Sequence, residues 1–159
     1  MDVQFKLAAQ TDAPPILAWF SDHVEAVQWG GTEVPTNLDP GWLAREIETS
    51  TDSYRVAYTS DELIIGVYGL RNFAEEKRIH IIRVAVAPSH RGRGIARRLI
   101  EDAVSAANVE KGFVLSLNVY GSNVQAIAVY EHLGFRRVKT RDAPEDASGV
   151  AIYMERPAL

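Results

Sequence analysis

The chain has no cysteine, which excludes disulfides and thiolate metal sites and fits a reducing cytoplasm. No run approaches the ~20 apolar residues needed to span a bilayer. The opening stretch, residues 1–12, has no charged start, apolar run or small-residue cleavage site, so no signal peptide is visible. Internal repeats, low-complexity tracts and linkers are also lacking. The 159 residues are therefore expected to form one domain, 1–159, in the cytoplasm. With 47% hydrophobic and 24% charged residues, there is ample material for a core.

Charge is unevenly shared. Residues 1–62 carry three Lys or Arg against eleven Asp or Glu, whereas residues 63–159 carry fourteen against ten. The acidic half suits a cationic partner; the basic half, with Arg91, Arg93, Arg97 and Arg98, suits a phosphorylated one.

Periodicity places the elements. Val3–Leu7 alternates as a strand, and Pro14 and Pro15 suit the start of a helix running to about Phe20. The stretch Trp29–Pro35 reads as a loop, and a second helix is expected over Pro40–Thr49. Tyr54–Thr59 and Leu63–Phe73 form a hairpin over Asp61-Glu62, followed by a β-branched strand, Arg78–Ala87, stopped by Pro88. Residues 95–107 carry a wide helical apolar stripe, ended by Lys111-Gly112. Then come a strand, Phe113–Val119, and a helix, Asn123–Leu133, with Ser122 and Gln125 as a capping box and Gly134 at C′. Phe135–Thr140 and Val150–Glu155 close the chain as a hairpin over a polar loop. The order β-α-α-β-β-β-α-β-α-β-β describes a mixed α/β fold, a sheet flanked by about four helices.

The segment most informative about chemistry is Val84-Ala85-Val86-Ala87-Pro88-Ser89-His90-Arg91-Gly92-Arg93-Gly94-Ile95-Ala96. A strand ends, a loop turns and a helix begins. Gly92 and Gly94 let the backbone approach a ligand and take dihedrals closed to other residues. The first amides of the helix lack intrahelical partners and sit at the positive end of its dipole, while Arg91 and Arg93 add forked donors. A pyrophosphate is the natural guest. A Walker loop would need Lys and Ser or Thr after the last glycine, where Ile95-Ala96 stands. A dinucleotide fingerprint would want Gly or Ala at Arg97. RNA binding by the arginines is a further alternative, though no RNP-like aromatic pattern accompanies them.

Arg91-Gly92-Arg93-Gly94-Ile95-Ala96 resembles the (Gln/Arg)-x-x-Gly-x-(Gly/Ala) motif of the GCN5-related N-acetyltransferases, preceded by their Val-Ala-Val-x-Pro strand end. Asn118-Val119-Tyr120-Gly121-Ser122-Asn123 and Ala126–Phe135 resemble the family's second block: an Asn-capped helix, a Tyr two turns on, then Gly-Phe. Together the two blocks cover roughly residues 78–138.

The resemblance implies a central, mostly antiparallel sheet of about six or seven strands, splayed at a V-shaped wedge for acetyl-coenzyme A. Its pyrophosphate would lie on the amides of Arg91, Gly92, Arg93, Gly94, Ile95 and Ala96. Its pantetheine arm would pair with the edge of Val84, Ala85 and Val86, a form of β-augmentation, with Asn118 also lining the cofactor. An amide at Val84 or Val86 would polarise the acetyl carbonyl. Asn123 would touch the pantetheine, and Tyr130, two turns on and on the same helix face, would protonate the departing thiolate.

An alkylammonium acceptor must lose a proton before its nitrogen can attack the thioester carbonyl, which calls for a general base. Several family members have a glutamate where Asn118 stands, and an amide is no base. Others use a residue on the strand before the phosphate loop, or a water chain. His80 lies on that strand, and an unperturbed pKa near ~6.5 suits base work.

Trp29, Gly30 and Glu33 stand where the family builds its acceptor loop, and the acidic first half favours a cationic amine, small or peptidic. No metal is expected. The reading is direct transfer from acetyl-CoA to a primary amine in a ternary complex, since no cysteine is present to form a thiol acyl-enzyme. The rival is a non-catalytic acyl-CoA sensor or docking module. No membrane partner is expected; a homodimer would be in keeping with the family.

Overall fold

The structure is a computed structural model that describes residues 1–107, 112–138, 145–146 and 149–157. The expected stop at Lys111 and strand end at Thr140 lie outside the described residues. The helices and strands are β1 (Val3–Leu7), α1 (Ala13–Leu17), α2 (His23–Gly30), α3 (Pro40–Thr49), β2 (Ser53–Thr59), β3 (Ile64–Phe73), β4 (Arg78–Val86), α4 (Ile95–Ala107), β5 (Val114–Tyr120), α5 (Val124–His132), β6 (Arg136–Arg137), β7 (Glu145–Asp146) and β8 (Gly149–Pro157). The strands are hydrogen-bonded in the order β1-β2-β3-β4-β5-β8-β6, with β7 paired to β8. This is the expected mixed α/β fold with a mostly antiparallel sheet. Among the described residues no helix is long and apolar enough to cross a membrane.

The chain forms two compact units. The first comprises Met1–Gly69 with Arg83–Leu99. Its core includes Ile16, Leu43, Val56, Ile65, Tyr68, Ile95 and Leu99, all fully buried or nearly so. Arg98 ties α4 to β1 by donating to the Val3 carbonyl at 3.1 Å.

Two expectations are corrected here. The first helix ends at Leu17, short of Phe20. A helix not expected, α2, covers His23–Gly30, so Trp29 and Gly30 end a helix rather than open a loop. Asp22 starts α2 by accepting the Glu25 N–H at 2.8 Å, an Asp-x-x-Glu signal visible in the sequence. Asp39 caps α3 in the same manner, accepting from the Gly41 N–H at 3.0 Å, with Pro40 at the first helical position.

The second unit comprises Leu70–Ile82 with the described residues of Ile100–Leu159. Here β4 and β5 pair in parallel, Arg78 with Val114, Ile79 with Leu115 and His80 with Ser116. Antiparallel β8 sets Glu155 opposite Ser116 and Tyr153 opposite Asn118. β6 joins β8 antiparallel, as expected of the closing hairpin.

Helix α5 shows why its motif has its spacing. Asn123, and not Ser122, supplies the cap, accepting the Ala126 N–H at 3.2 Å. At the other end Gly134 turns left-handed at φ +93°. Its N–H reaches the Glu131 carbonyl at 3.1 Å, and the Phe135 N–H reaches that of Tyr130 at 3.0 Å. This is a Schellman stop, completed by the edge contact of the Tyr130 and Phe135 rings, centroids 6.2 Å apart. Phe135, 1% exposed, anchors the turn, and burying such a ring is worth about 1.5–3 kcal/mol. Nine residues would not hold a helix alone; the anchor and cap do.

Candidate functional site

In the first unit the segment after β4 has the geometry of an anion cradle. Gly92 and Gly94 take φ of +75° and +77°, and an added Cβ would meet nothing within 4 Å at either, so both are needed for conformation alone. Residues 91–94 are exposed, and α4 starts at Ile95. Among the described residues, the N–H groups of Gly92, Arg93 and Gly94 have no protein partner. They join the unpaired first amides of α4, including those of Ile95 and Ala96. Ile95 is buried and fixes the helix start, while the Arg91 Nε–H reaches the Val86 carbonyl at 3.3 Å. Val84, Ala85 and Val86 are half-buried on β4.

The same unit holds a feature that sequence reading missed. Arg83 sits in β4 with φ +53°, left-handed for a non-glycine residue, and its side chain is only 6% exposed. Its Nε donates to the Gly30 carbonyl at 3.0 Å, and its Nη2 lies 2.9 Å from Glu33. Its Nη1 meets Glu46 at 3.2 Å and the Tyr54 hydroxyl. The guanidinium also lies over the Trp42 ring, 5.1 Å from its centroid. Trp29, stacked on Phe20 at 4.8 Å, donates its indole N–H to the Arg83 carbonyl.

All three residues expected to contact an acceptor, Trp29, Gly30 and Glu33, thus converge on Arg83. Gly30 has a packing reason as well: a Cβ there would lie 2.5 Å from Val34 Cγ2. The Glu33 carboxylate already has a cationic partner. A charged residue inside a β-branched run was the available signal.

In the second unit Tyr130 is 8% exposed, and burial pushes its phenol above the ordinary tyrosine value. Among the described residues its hydroxyl has no hydrogen-bond partner. Asn123 and Asn118 are exposed.

His80 lies in a polar row. Its Nδ1 is 2.7 Å from Ser116 Oγ, and its Nε2 is 3.4 Å from the Asn118 amide nitrogen. Its ring stacks on Tyr153, centroids 6.3 Å apart and planes within 10°. Arg78 Nη1 donates to Ser116 Oγ at 3.0 Å. Burial, then Arg78 and Arg71, lower the His80 pKa to about 4, so the ring is neutral at neutral pH. Ser116, fully buried, and Tyr153 are further residues that the sequence did not single out. Among the described residues no group of three or more His, Asp or Glu could hold a metal ion.

Comparison with known proteins adds to this geometry. A family model described as the acetyltransferase (GNAT) family matches residues 17–135. An N-alpha-acetyltransferase, RimI, of Mycobacterium tuberculosis is 31% identical over 121 residues, covering 74% of this chain and 73% of that one. An uncharacterized protein of Mycobacterium leprae is 34% identical over 116 residues; the match takes in 70% of this chain but only 31% of that longer protein. Among solved structures, spermidine N-acetyltransferase from Vibrio cholerae in complex with CoA and spermine superposes with a TM-score of 0.76 at 17% identity, covering 98% of this chain and 95% of that one.

Proposed function

The chain belongs to the acetyltransferase (GNAT) family, and from that premise we propose that it transfers an acetyl group from acetyl-CoA to a primary amine by direct attack in a ternary complex. The observation that carries this reading is the Tyr130 hydroxyl, buried yet without a partner among the described residues. A buried polar group left unpaired costs about 1–3 kcal/mol, so it needs a reason to persist. A thiolate that must be protonated as it leaves is such a reason. Burial favours the neutral, proton-bearing phenol that this role requires.

The residues present fit the donor. Three unpartnered N–H groups at Gly92–Gly94, Arg91 and Arg93 beside them, and the start of α4 make a cradle for a diphosphate. The edge of Val84–Val86 would take the pantetheine amides, and Asn118 and Asn123 would contact the same arm. When bound, acetyl-CoA supplies an activated acyl carbon and a thiolate leaving group. His80 would accept the proton that an alkylammonium must lose before its nitrogen attacks.

The acceptor is a primary amine, small or peptidic. Two of the proteins this chain resembles are named an N-alpha-acetyltransferase and a spermidine N-acetyltransferase, and the acidic balance of residues 1–62 suits a cation. Trp29, Gly30 and Glu33 would shape its binding, with Arg83 holding them. A cytoplasmic setting belongs to the same reading.

Coenzyme A release measured with acetyl-CoA and a panel of polyamines, aminoglycosides and N-terminal peptides tests this. Amine-dependent release is expected. Binding of acetyl-CoA with no release on any amine would favour the non-catalytic module, and absence of binding would overturn the reading.

A further inference from the structure

We infer that Trp29 is a positioning residue for the transfer: its indole N–H holds the peptide between Arg83 and Val84 so that the Val84 N–H is aimed at the oxygen of the acetyl carbonyl. The inference rests on the acetyltransferase reading. It deepens that reading by choosing Val84 over Val86 as the donor and by naming the side chain that aims it.

Arg83 interrupts β4. Its φ of +53° is left-handed, and such a residue inside a strand breaks the pleat and re-aims the peptide that follows. A strained non-glycine residue persists only where its surroundings over-determine it. Here they do. Arg83 Nε donates to the Gly30 carbonyl at 3.0 Å, while the Arg83 carbonyl accepts the Trp29 indole N–H at 2.8 Å. One residue of β4 thus gives to and receives from two consecutive residues at the end of α2. A single bond would fix a distance; two such bonds also fix an orientation. Glu46 at 3.2 Å, Glu33 at 2.9 Å and the Tyr54 hydroxyl hold the rest of the guanidinium.

The indole is itself held in place. Its ring stacks on that of Phe20, centroids 4.8 Å apart and planes 28° apart, and Phe20 is buried. His23 Nε2 lies 3.0 Å from the Val34 carbonyl, which ties the start of α2 to the segment beyond its end. An indole N–H only donates, so its bond to the Arg83 oxygen runs one way.

That bond acts on the far side of the peptide plane. The Arg83–Val84 peptide is trans, and the C=O and N–H of a trans peptide point in opposite directions. Drawing the Arg83 oxygen to Trp29 therefore turns the Val84 N–H away from the indole. Three residues on, the Ala87 N–H bonds the Ile65 carbonyl of β3 at 2.8 Å. Successive N–H groups of a strand face alternate edges, so those of Val84 and Val86 both face away from β3. Of the two, Val84 follows the left-handed residue and has its peptide held by a side chain from outside the sheet. Among the described residues no side chain holds the Ala85 carbonyl, which shares a peptide with the Val86 N–H. A carbonyl that accepts a hydrogen bond polarises its own peptide, and the N–H at the other end becomes a stronger donor. As the amine nitrogen bonds to the acetyl carbon, negative charge gathers on the acetyl oxygen, and the Val84 N–H meets it without having to reorganise. When the C–S bond breaks, that charge passes to sulfur.

The test uses the full chain with coenzyme A and with acetyl-CoA, two ligands that differ only in the acetyl group. In amide NMR spectra of the wild type, the Val84 proton is expected to move downfield when acetyl-CoA replaces coenzyme A, and the Val86 proton to stay where it is. Isotope-edited infrared spectra of bound acetyl-CoA should show the thioester carbonyl stretch at lower frequency than in water. Trp29→Phe keeps an aromatic ring against Phe20 and removes the indole N–H. It should lose part of that lowering and, with an alkylamine that supports coenzyme A release, reduce kcat about 10-fold, the Kd for acetyl-CoA being nearly unchanged. A ring that only packed, or only touched the amine, would leave the stretch of this amine-free complex unmoved. A Val84 amide indifferent to the acetyl group, or a Trp29→Phe complex with the wild-type stretch, would overturn the inference and leave the transferase reading intact. Should Trp29→Phe not fold, the wild-type amide shifts decide by themselves. A wild-type protein that binds no acetyl-CoA would overturn the transferase reading and this inference with it.

Discussion

Trp29 donates its indole N–H to the main-chain oxygen of Arg83 at 2.8 Å, joining residues fifty-four positions apart. The same arginine holds Gly30, Glu33, Glu46 and Tyr54 with its guanidinium. Its left-handed φ, +53°, costs about 1–3 kcal/mol for a non-glycine residue and persists because these bonds hold it.

Arg83→Ala is therefore expected to lower stability by about 2–4 kcal/mol, since it leaves Glu46 half-buried and unpaired along with several acceptors. Glu33→Gln should cost less than about 1 kcal/mol, because that carboxylate is 66% exposed. Urea unfolding measures both. A loss in Arg83→Ala no larger than in Glu33→Gln would show that the arginine holds nothing the rest of the unit needs.

Gly92→Ala and Gly94→Ala should each raise the Kd for acetyl-CoA about tenfold, by calorimetry. The added methyl meets no neighbour, so the effect acts through the left-handed backbone, at a cost of about 1–2 kcal/mol. Unchanged affinity in both variants would remove the loop from cofactor binding.

Tyr130→Phe should reduce kcat about 100-fold with acetyl-CoA affinity nearly unchanged. Its thermal midpoint should equal or exceed that of the wild type, because the hydroxyl it loses has no partner among the described residues. A clear drop in midpoint would point to a structural role for the hydroxyl, and full activity would remove it as the acid.

His80 sets a pH dependence of stability. Its folded pKa of about 4 lies below the ordinary value of 6.5. Between those values the unfolded chain binds a proton that the folded chain refuses, so stability falls as pH drops through that window. The full contribution, present above pH 6.5, is on the order of 3 kcal/mol. Denaturation midpoints of wild type and His80→Gln from pH 7 to pH 4 should converge as pH falls. A His80 ring that titrates near 6.5 by NMR would contradict the burial and the two arginines alike.

Much of the local structure was legible in the sequence because its causes lie close together in the chain. Gly92 and Gly94 announced a left-handed turn into a helix, and Gly134-Phe135 announced a helix stop, each within a few residues of its effect. The Asp22-x-x-Glu25 start of α2 was legible too, but Trp29-Gly30-Gly31 read as a break and hid it. Gly30 is small for the sake of Val34, a contact that composition does not reveal.

What the sequence by itself determined is the succession of helices and strands and the glycine-arginine turn, since propensity, capping and backbone sterics act between near neighbours. Only the tertiary structure decided the partners of Arg83 and the row from His80 through Ser116 to Glu155. Those depend on which strands lie side by side and in what register. Register is set by packing summed over whole faces of a sheet, so the spacing of three polar residues along the chain carries no record of it.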